Sequence, residues 1–200
     1  MESLRTFIAV EPDEAAREWL LVCLEALTAR RGDIRWVRPE HLHLTLKFLG
    51  DIPRERVEDV DRLCGEIAAG SAPFEVEFGP TGGFGPPRRP RTLWIGYGAG
   101  AGLEALRKLQ GSIESALAPL GIAKENRPWS AHLTLGRNPN GAPVEGWEKG
   151  LPPWAGAGPP RMRIKGLHFF SSELTPQGPI HRVIASHPLG GPRPPGDERT

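Results

Sequence analysis

His43-Leu-Thr-Leu46 and His132-Leu-Thr-Leu135 are one tetrapeptide written twice in a chain of 200 residues. In a strand, residues i and i+2 point to the same face. Each copy therefore projects its His and Thr together and turns its two leucines to the other side, into a core. Two such strands facing one groove bring two imidazoles and two hydroxyls around one small ligand.

Around the first copy, Leu42 to Leu49 reads as a strand with Leu44, Leu46 and Phe48 on one face and His43, Thr45 and Lys47 on the other. Gly50-Asp51 is expected to turn the chain. Upstream, Arg5 to Val10 is an opening strand, and Pro12 to about Arg31 a helix with Trp19, Leu20, Cys23, Leu24 and Leu27 as its stripe, stopped by Gly32. Ile34 to Val37 is a short strand. Downstream, Pro53 to about Ala69 is a helix striped by Val57, Val60, Leu63, Cys64 and Ile67, and Phe74 to Phe78 alternates as a strand. Residues 79–90, rich in Gly and Pro, read as a loop before a strand over Thr92–Ile95. Leu103 to Leu120 carries a third helical stripe. After the second copy, residues 138–160 show no periodicity and read as an irregular loop. Met162 to Ser171 and Ile180 to His187 read as two closing strands joined through Thr175-Pro-Gln-Gly178. The order predicts an α+β fold of two similar lobes, each holding one motif strand.

Composition sets bounds. A hydrophobic fraction of 38% and a charged fraction of 24% suit one globular domain, expected over residues 1–190, with a disordered tail over 191–200. A net charge of +1 supplies no general field for nucleic acid, so any such partner must be met by local patches. Arg outnumbers Lys, which suits phosphate recognition by a planar fork and equally reflects a biased genome. Cys23 and Cys64 have no metal spacing, and no apolar run spans a bilayer; a reduced, cytoplasmic protein without membrane attachment is expected.

Two imidazoles on opposite sides of a phosphate can perform in-line chemistry, one as neutral base and the other as imidazolium acid. The threonine hydroxyls can donate to non-bridging oxygens, and Lys47 and Arg137 can add positive charge. Strand parity sets Arg137 with Leu133 and Leu135, so it reaches the groove only at a strand end or a bulge. The plain alternative for any one His-x-Thr is a solvated surface pair; repetition in the same context argues against it. His41-x-His43 is a metal pair without a third ligand in the sequence. His168, His181 and His187 read as structural. Arg88, Arg89 and Arg91, beside Phe84 and Trp94, are either a nucleic-acid grip or a polar loop. Trp36, Trp147 and Trp154 read as packing residues.

Pro39-Glu-His-Leu-His-Leu-Thr-Leu-Lys-Phe-Leu-Gly50 and Asn126-Arg-Pro-Trp-Ser-Ala-His-Leu-Thr-Leu-Gly-Arg137 resemble the paired motifs of the 2H phosphoesterases. Within them the chain is most similar to the bacterial and archaeal RNA 2',3'-cyclic phosphodiesterases, also called 2'-5' RNA ligases. The likeness extends from Phe7-Ile-Ala-Val10 through Gly82-Gly-Phe-Gly85 and Leu93-Trp-Ile-Gly96 to Phe170-Ser-Ser-Glu-Leu-Thr-Pro-Gln-Gly178.

The resemblance implies a bilobal, pseudo-twofold α+β fold whose two antiparallel sheets form a central cleft with helices packed outside. It implies metal-independent hydrolysis of an RNA 2',3'-cyclic phosphate to a 2'-phosphate, with weak, reversible 2'-5' ligation. No cofactor is implied. His43 would protonate the leaving 3'-oxygen, His132 would accept the proton of water, and Thr45 and Thr134 would hold the phosphate. Lys47, Arg137, Arg127, Phe48 and Trp129 complete the candidate substrate-binding set. Ala131 stands where this branch usually has Pro, which loosens the backbone entering the second motif and bears on substrate preference. The expected partner is RNA with a cyclic phosphate end, tRNA fragments among the candidates, bound by a monomer. Alternatives are a 2'-5' oligonucleotide or small cyclic-nucleotide phosphodiesterase, and a non-catalytic RNA-end-binding module.

Overall fold

Apolar alternation and helical stripes sort the chain into nine strands and three helices among the residues that the computed structural model describes, namely 2–31, 33–144, 146–151, 160–176 and 178–190. In order these are β1 (Ser3–Val10), α1 (Glu14–Arg30), β2 (Arg35–Trp36), β3 (Leu44–Pro53), α2 (Val57–Ala69), β4 (Phe74–Phe84), β5 (Thr92–Tyr97), α3 (Ala101–Leu117), β6 (His132–Arg137), β7 (Arg161–Ile164), β8 (Gly166–Thr175) and β9 (Gly178–Pro188). Gly32, Trp154, Gln177 and the tail 191–200, on which several sequence expectations fall, lie outside the described residues. None of the described helices is long and apolar enough to cross a membrane.

Two antiparallel sheets result, one ordered β3-β1-β8-β9 and the other β2-β6-β5-β4-β7. Each holds one motif strand, as expected. The lobes are nonetheless not the two halves of the chain, because the first sheet takes β1 and β3 from the start and β8 and β9 from the end. The reason is visible at Lys165-Gly166. Met162 and Ile164 are buried, then Leu167 and Phe169, so the buried parity changes there. What reads as one closing strand is two: β7 pairs with β4 and β8 pairs with β1.

The helices cover one face of each sheet: α2 lies on β8 and β9, α1 on β2 and β7, and α3 on β4 and β3. Their stripes bury Leu20, Cys23, Leu24 and Leu27 of α1, Val60 and Cys64 of α2, and Leu106, Leu109, Ile113 and Leu117 of α3. All but Cys23 of these belong to one continuous core. Both cysteines are buried and unpaired.

Two expected breaks are strand instead. Gly50-Asp51 does not turn the chain; β3 runs on to Pro53, pairing Gly50 with Thr6 and Ile52 with Leu4, and Gly50 takes a positive φ of 72° within it. Residues 79–84 are not loop but the second half of β4, paired with β5. Their glycines serve close approach. A Cβ on Gly82 would lie 2.5 Å from the indole of Trp94, and one on Gly83 would collide with Pro90.

This predicts opposite signs for two glycine substitutions. Gly82→Ala forces the packed Trp94 ring to move and should cost about 1–3 kcal/mol. Gly111→Ala, in α3 with open space around the added methyl, should gain roughly 0.5–1 kcal/mol. Urea unfolding midpoints check both; a neutral Gly82→Ala would refute the close-approach account.

Candidate active site

Each motif strand carries a β-bulge at the same motif position. In β3, Ala9 pairs with Thr45 but Ile8 with Lys47, leaving Leu46 as the extra residue. In β6, Trp94 pairs with Thr134 but Leu93 with Gly136, leaving Leu135 extra. A bulge shifts the alternation by one residue. Both strands accordingly show one burial sequence from the histidine onward: a half-buried His, a buried Leu, a half-buried Thr, a buried Leu, a further buried residue, then an exposed one.

The bulge reverses two expectations in β3. Phe48 leaves the leucine face and is exposed on the histidine side, its ring 6.0 Å from Phe7, which in turn lies 5.0 Å from His43. Lys47 moves the other way and is buried away from the groove. Its Nζ donates to Glu114 Oε2 on α3 at 2.8 Å and to the Ala123 carbonyl at 2.9 Å. It is therefore a structural cation, not a groove-lining one. In β6 the same shift turns Arg137 toward His132, whose pKa its charge lowers, and Arg137 Nη1 lies 3.3 Å from Thr92 Oγ1. Gly136 sits where β3 has Lys47, and a Cβ there would strike the Trp36 ring at 2.7 Å.

The two imidazoles are held alike. His43 Nδ1–H donates to the His41 carbonyl at 2.7 Å, and His132 Nδ1–H donates to the Ser130 carbonyl at 2.8 Å. A carbonyl only accepts, so the bonding network assigns the proton to Nδ1 and leaves the Nε2 lone pair to meet a ligand. Their surroundings are apolar. The His43 ring packs on Phe7, which stacks on Phe170 at 4.9 Å, and Phe84 meets the His132 ring edge-on at 4.8 Å, with Trp94 at 6.2 Å. Burial pushes the His43 pKa down to about 4, against the opposing effect of its bond to His41, with further lowering by His181, His41 and His132. Burial likewise lowers His132, again opposed by its carbonyl bond. β3 and β6 lie in contact, and the charge of His132 is the last of the influences that lower His43.

Thr45 and Thr134 are half-buried beside their histidines. Trp129 serves as a tether: its Nε1–H donates to the Thr45 carbonyl at 3.2 Å, fastening the segment before β6 to β3. Lys47, through Ala123, is a second tether on the same segment. Arg127 stands exposed on the surface, 3.7 Å from Glu125. Of the arginine cluster, Arg88 and Arg89 are exposed in the β4–β5 connection, and Arg91 donates to the Pro139 carbonyl. Trp36 and Trp147 pack together at 6.2 Å, as expected. His41 and His181 join His43 in space, which the sequence did not disclose for His181. Among the described residues, no group of three or more His, Cys, Asp or Glu could hold a metal ion. The sequence carries no sign of Phe7 or Phe170 at the groove, since the period-two phase of their strands does not say which sheet face lines it; Phe84, read with Trp94 beside the arginine cluster, meets His132 instead.

A family model described as LigT like Phosphoesterase matches residues 10–94 and 99–181. A protein of Archaeoglobus fulgidus named RNA 2',3'-cyclic phosphodiesterase is 31% identical over 185 residues, covering 90% of this chain and 98% of that one. A Thermus thermophilus protein of the same name is 32% identical, covering 94% and 91%. The solved structure of TT0787 from Thermus thermophilus superposes with a TM-score of 0.72 at 29% identity, covering 94% of this chain and 99% of that chain.

Two outcomes follow from this geometry. Lys47→Met leaves the Glu114 carboxylate without its cation and should cost roughly 2–4 kcal/mol, while Lys47→Met with Glu114→Leu should recover much of the loss; urea midpoints of the three proteins decide. His43 is charged in the unfolded chain below its ordinary pKa of 6.5 but stays neutral in the fold down to about 4. The unfolded state then binds more protons across that window, so stability falls as pH drops from 6.5 toward 4. His43→Gln should flatten this slope relative to the parent, and parallel slopes would contradict the assignment.

Proposed function

The chain belongs to the LigT-like phosphoesterase family, and on that premise we propose that it hydrolyses the terminal 2',3'-cyclic phosphate of RNA to a 2'-phosphate. The observation that carries this reading is the matched pair of imidazoles, each bonded through Nδ1 to the carbonyl two residues upstream. The relatives named RNA 2',3'-cyclic phosphodiesterase support the substrate.

His132, neutral, takes through Nε2 a proton from the water that attacks phosphorus. The bond from phosphorus to O3' breaks, its electron pair stays on O3', and O3' takes the proton of His43 Nε2–H. The products are a 2'-phosphomonoester and a free 3'-hydroxyl; His43 ends neutral and His132 protonated, and exchange with solvent restores both. A 5'-hydroxyl in place of water would form a 2'-5' linkage by the same transfers, so weak ligation accompanies the reading. The steps ask no metal to supply or withdraw a proton.

Thr45 and Thr134 would donate to the non-bridging oxygens, and Arg137 would add charge beside His132. Exposed Phe48 and Phe84 offer flat faces for bases on either side. Because His43 is neutral in the free protein, its proton has to come with the substrate: an anionic phosphate in a partly desolvated site favours the imidazolium. Since the first sheet draws strands from both ends of the chain, residues 1–190 act as one unit in this reading.

Phosphorus NMR of a short RNA ending in a 2',3'-cyclic phosphate, with chelator present, tests it. The parent should yield a 2'-phosphate, and His43→Ala and His132→Ala should each lose about 100-fold or more in rate. A 3'-phosphate would reverse the assigned leaving group. Binding without conversion would make the chain an RNA-end-binding module.

A further inference from the structure

Three imidazoles stand on the first-motif side of the groove. The His181 ring, on β9, lies perpendicular to His43 at 5.5 Å between centroids, 5.1 Å from His41 and edge-on to Phe7 at 5.0 Å. Its Nδ1 is buried and has no hydrogen-bond partner among the described residues. A buried N–H without an acceptor is worse tolerated than a lone pair without a donor, so neutral His181 carries its proton on Nε2. His43 carries its own on Nδ1, so the two neighbouring rings are opposite tautomers.

We propose that His181 is a positioning residue for the acid–base pair: with His43, and with the His41 ring beside them, it forms a cluster in which a proton on His181 disfavours one on His43, so that His181 governs when His43 is charged. This rests on reading His43 as the acid that opens the cyclic phosphate. Two imidazolium ions this close repel in a partly desolvated site, so a proton on His181 disfavours one on His43.

Among the described residues, the groups that face His181 carry no compensating negative charge. They are His41 from the turn before β3, His43 at its start, Phe7 of β1, and Ser172, its register partner on β8. His168, farther along β8, lies 2.9 Å through Nδ1 from Ser186 Oγ. Glu173 and Arg182 pair with each other at 3.0 Å, and alternation sets Arg182 on the opposite face from His181. An anionic phosphate entering beside Thr45 would supply the missing negative charge, and the cluster's proton could then sit on His43.

The imidazole Cε1–H resonances, followed by NMR against pH, test this in the parent and in His181→Phe, which keeps an aromatic ring against Phe7. Spectra are taken without ligand and with inorganic phosphate. The expected result is a His43 midpoint raised by about half a unit or more in the variant, with the alkaline limb of the kcat/KM profile moving up with it. An unchanged His43 midpoint in a folded variant overturns the proposal, since packing alone would alter rate without moving titration. Should His181→Phe not fold, the parent decides: interdependent, biphasic curves for His43 and His181 support the cluster, and two independent single-site curves overturn it. These titrations need no turnover, so a parent that opens no cyclic ester refutes the functional reading while the coupling is still measured.

Discussion

The site depends on one extra residue in each motif strand. Without the bulges at Leu46 and Leu135, strict alternation would put Lys47 beside His43 and bury Phe48, and would turn Arg137 from His132 toward the core. With them, each strand places His and Thr on the groove face, then resumes with its phase reversed. A bulge costs a ladder hydrogen bond and bends the strand. Here it also frees Lys47 to reach across to Glu114 and the Ala123 carbonyl. The segment leading into the second motif is thereby tied to the strand bearing the first.

That tie matters for the proposed chemistry, which asks two side chains from distant parts of the chain to share one phosphate. Carbonyl bonds orient both rings, and apolar neighbours keep both neutral. On the proposed mechanism, the burial that lowers the pKa of His132, the base, also makes His43 a reluctant acid. Desolvation and the neighbouring imidazoles act in one direction on His43, and the carbonyl bond only partly offsets them. On the proposed mechanism an anion in the groove would reverse the balance and so couple protonation to occupancy.

The interleaving of the sheets follows from ordinary packing. β8 and β9 complete the sheet begun by β1 and β3 because Leu167 and Phe169 share the core with Leu44 and Leu46, while Phe170 stacks on Phe7 on the opposite face. Adjacent phenylalanines, Phe169 and Phe170, thus serve the core and the groove respectively. His181 arrives in the site by the same route, carried on β9.

Much was legible in the residues themselves. The repeated tetrapeptide, the helical stripes and most strands follow from period and composition, because local side-chain direction is set by backbone geometry that any stretch of chain obeys. The alternation that located His43, Thr45, His132 and Thr134 held up to the first irregularity. Arg137 reaches the groove through a bulge, the condition that strand parity sets for it, whereas alternation carried through Leu46 puts Lys47 and Phe48 on the wrong faces. Glycines at 82 and 83 read as loop because their use, approach to Trp94 and Pro90, involves partners that only pairing brings near. The sequence alone determined the motif pair, the three helices and most of the strands. Tertiary structure decided the strand order, the bulges and the company of His181, because these depend on contacts between residues far apart in the chain, whose energies no local pattern contains.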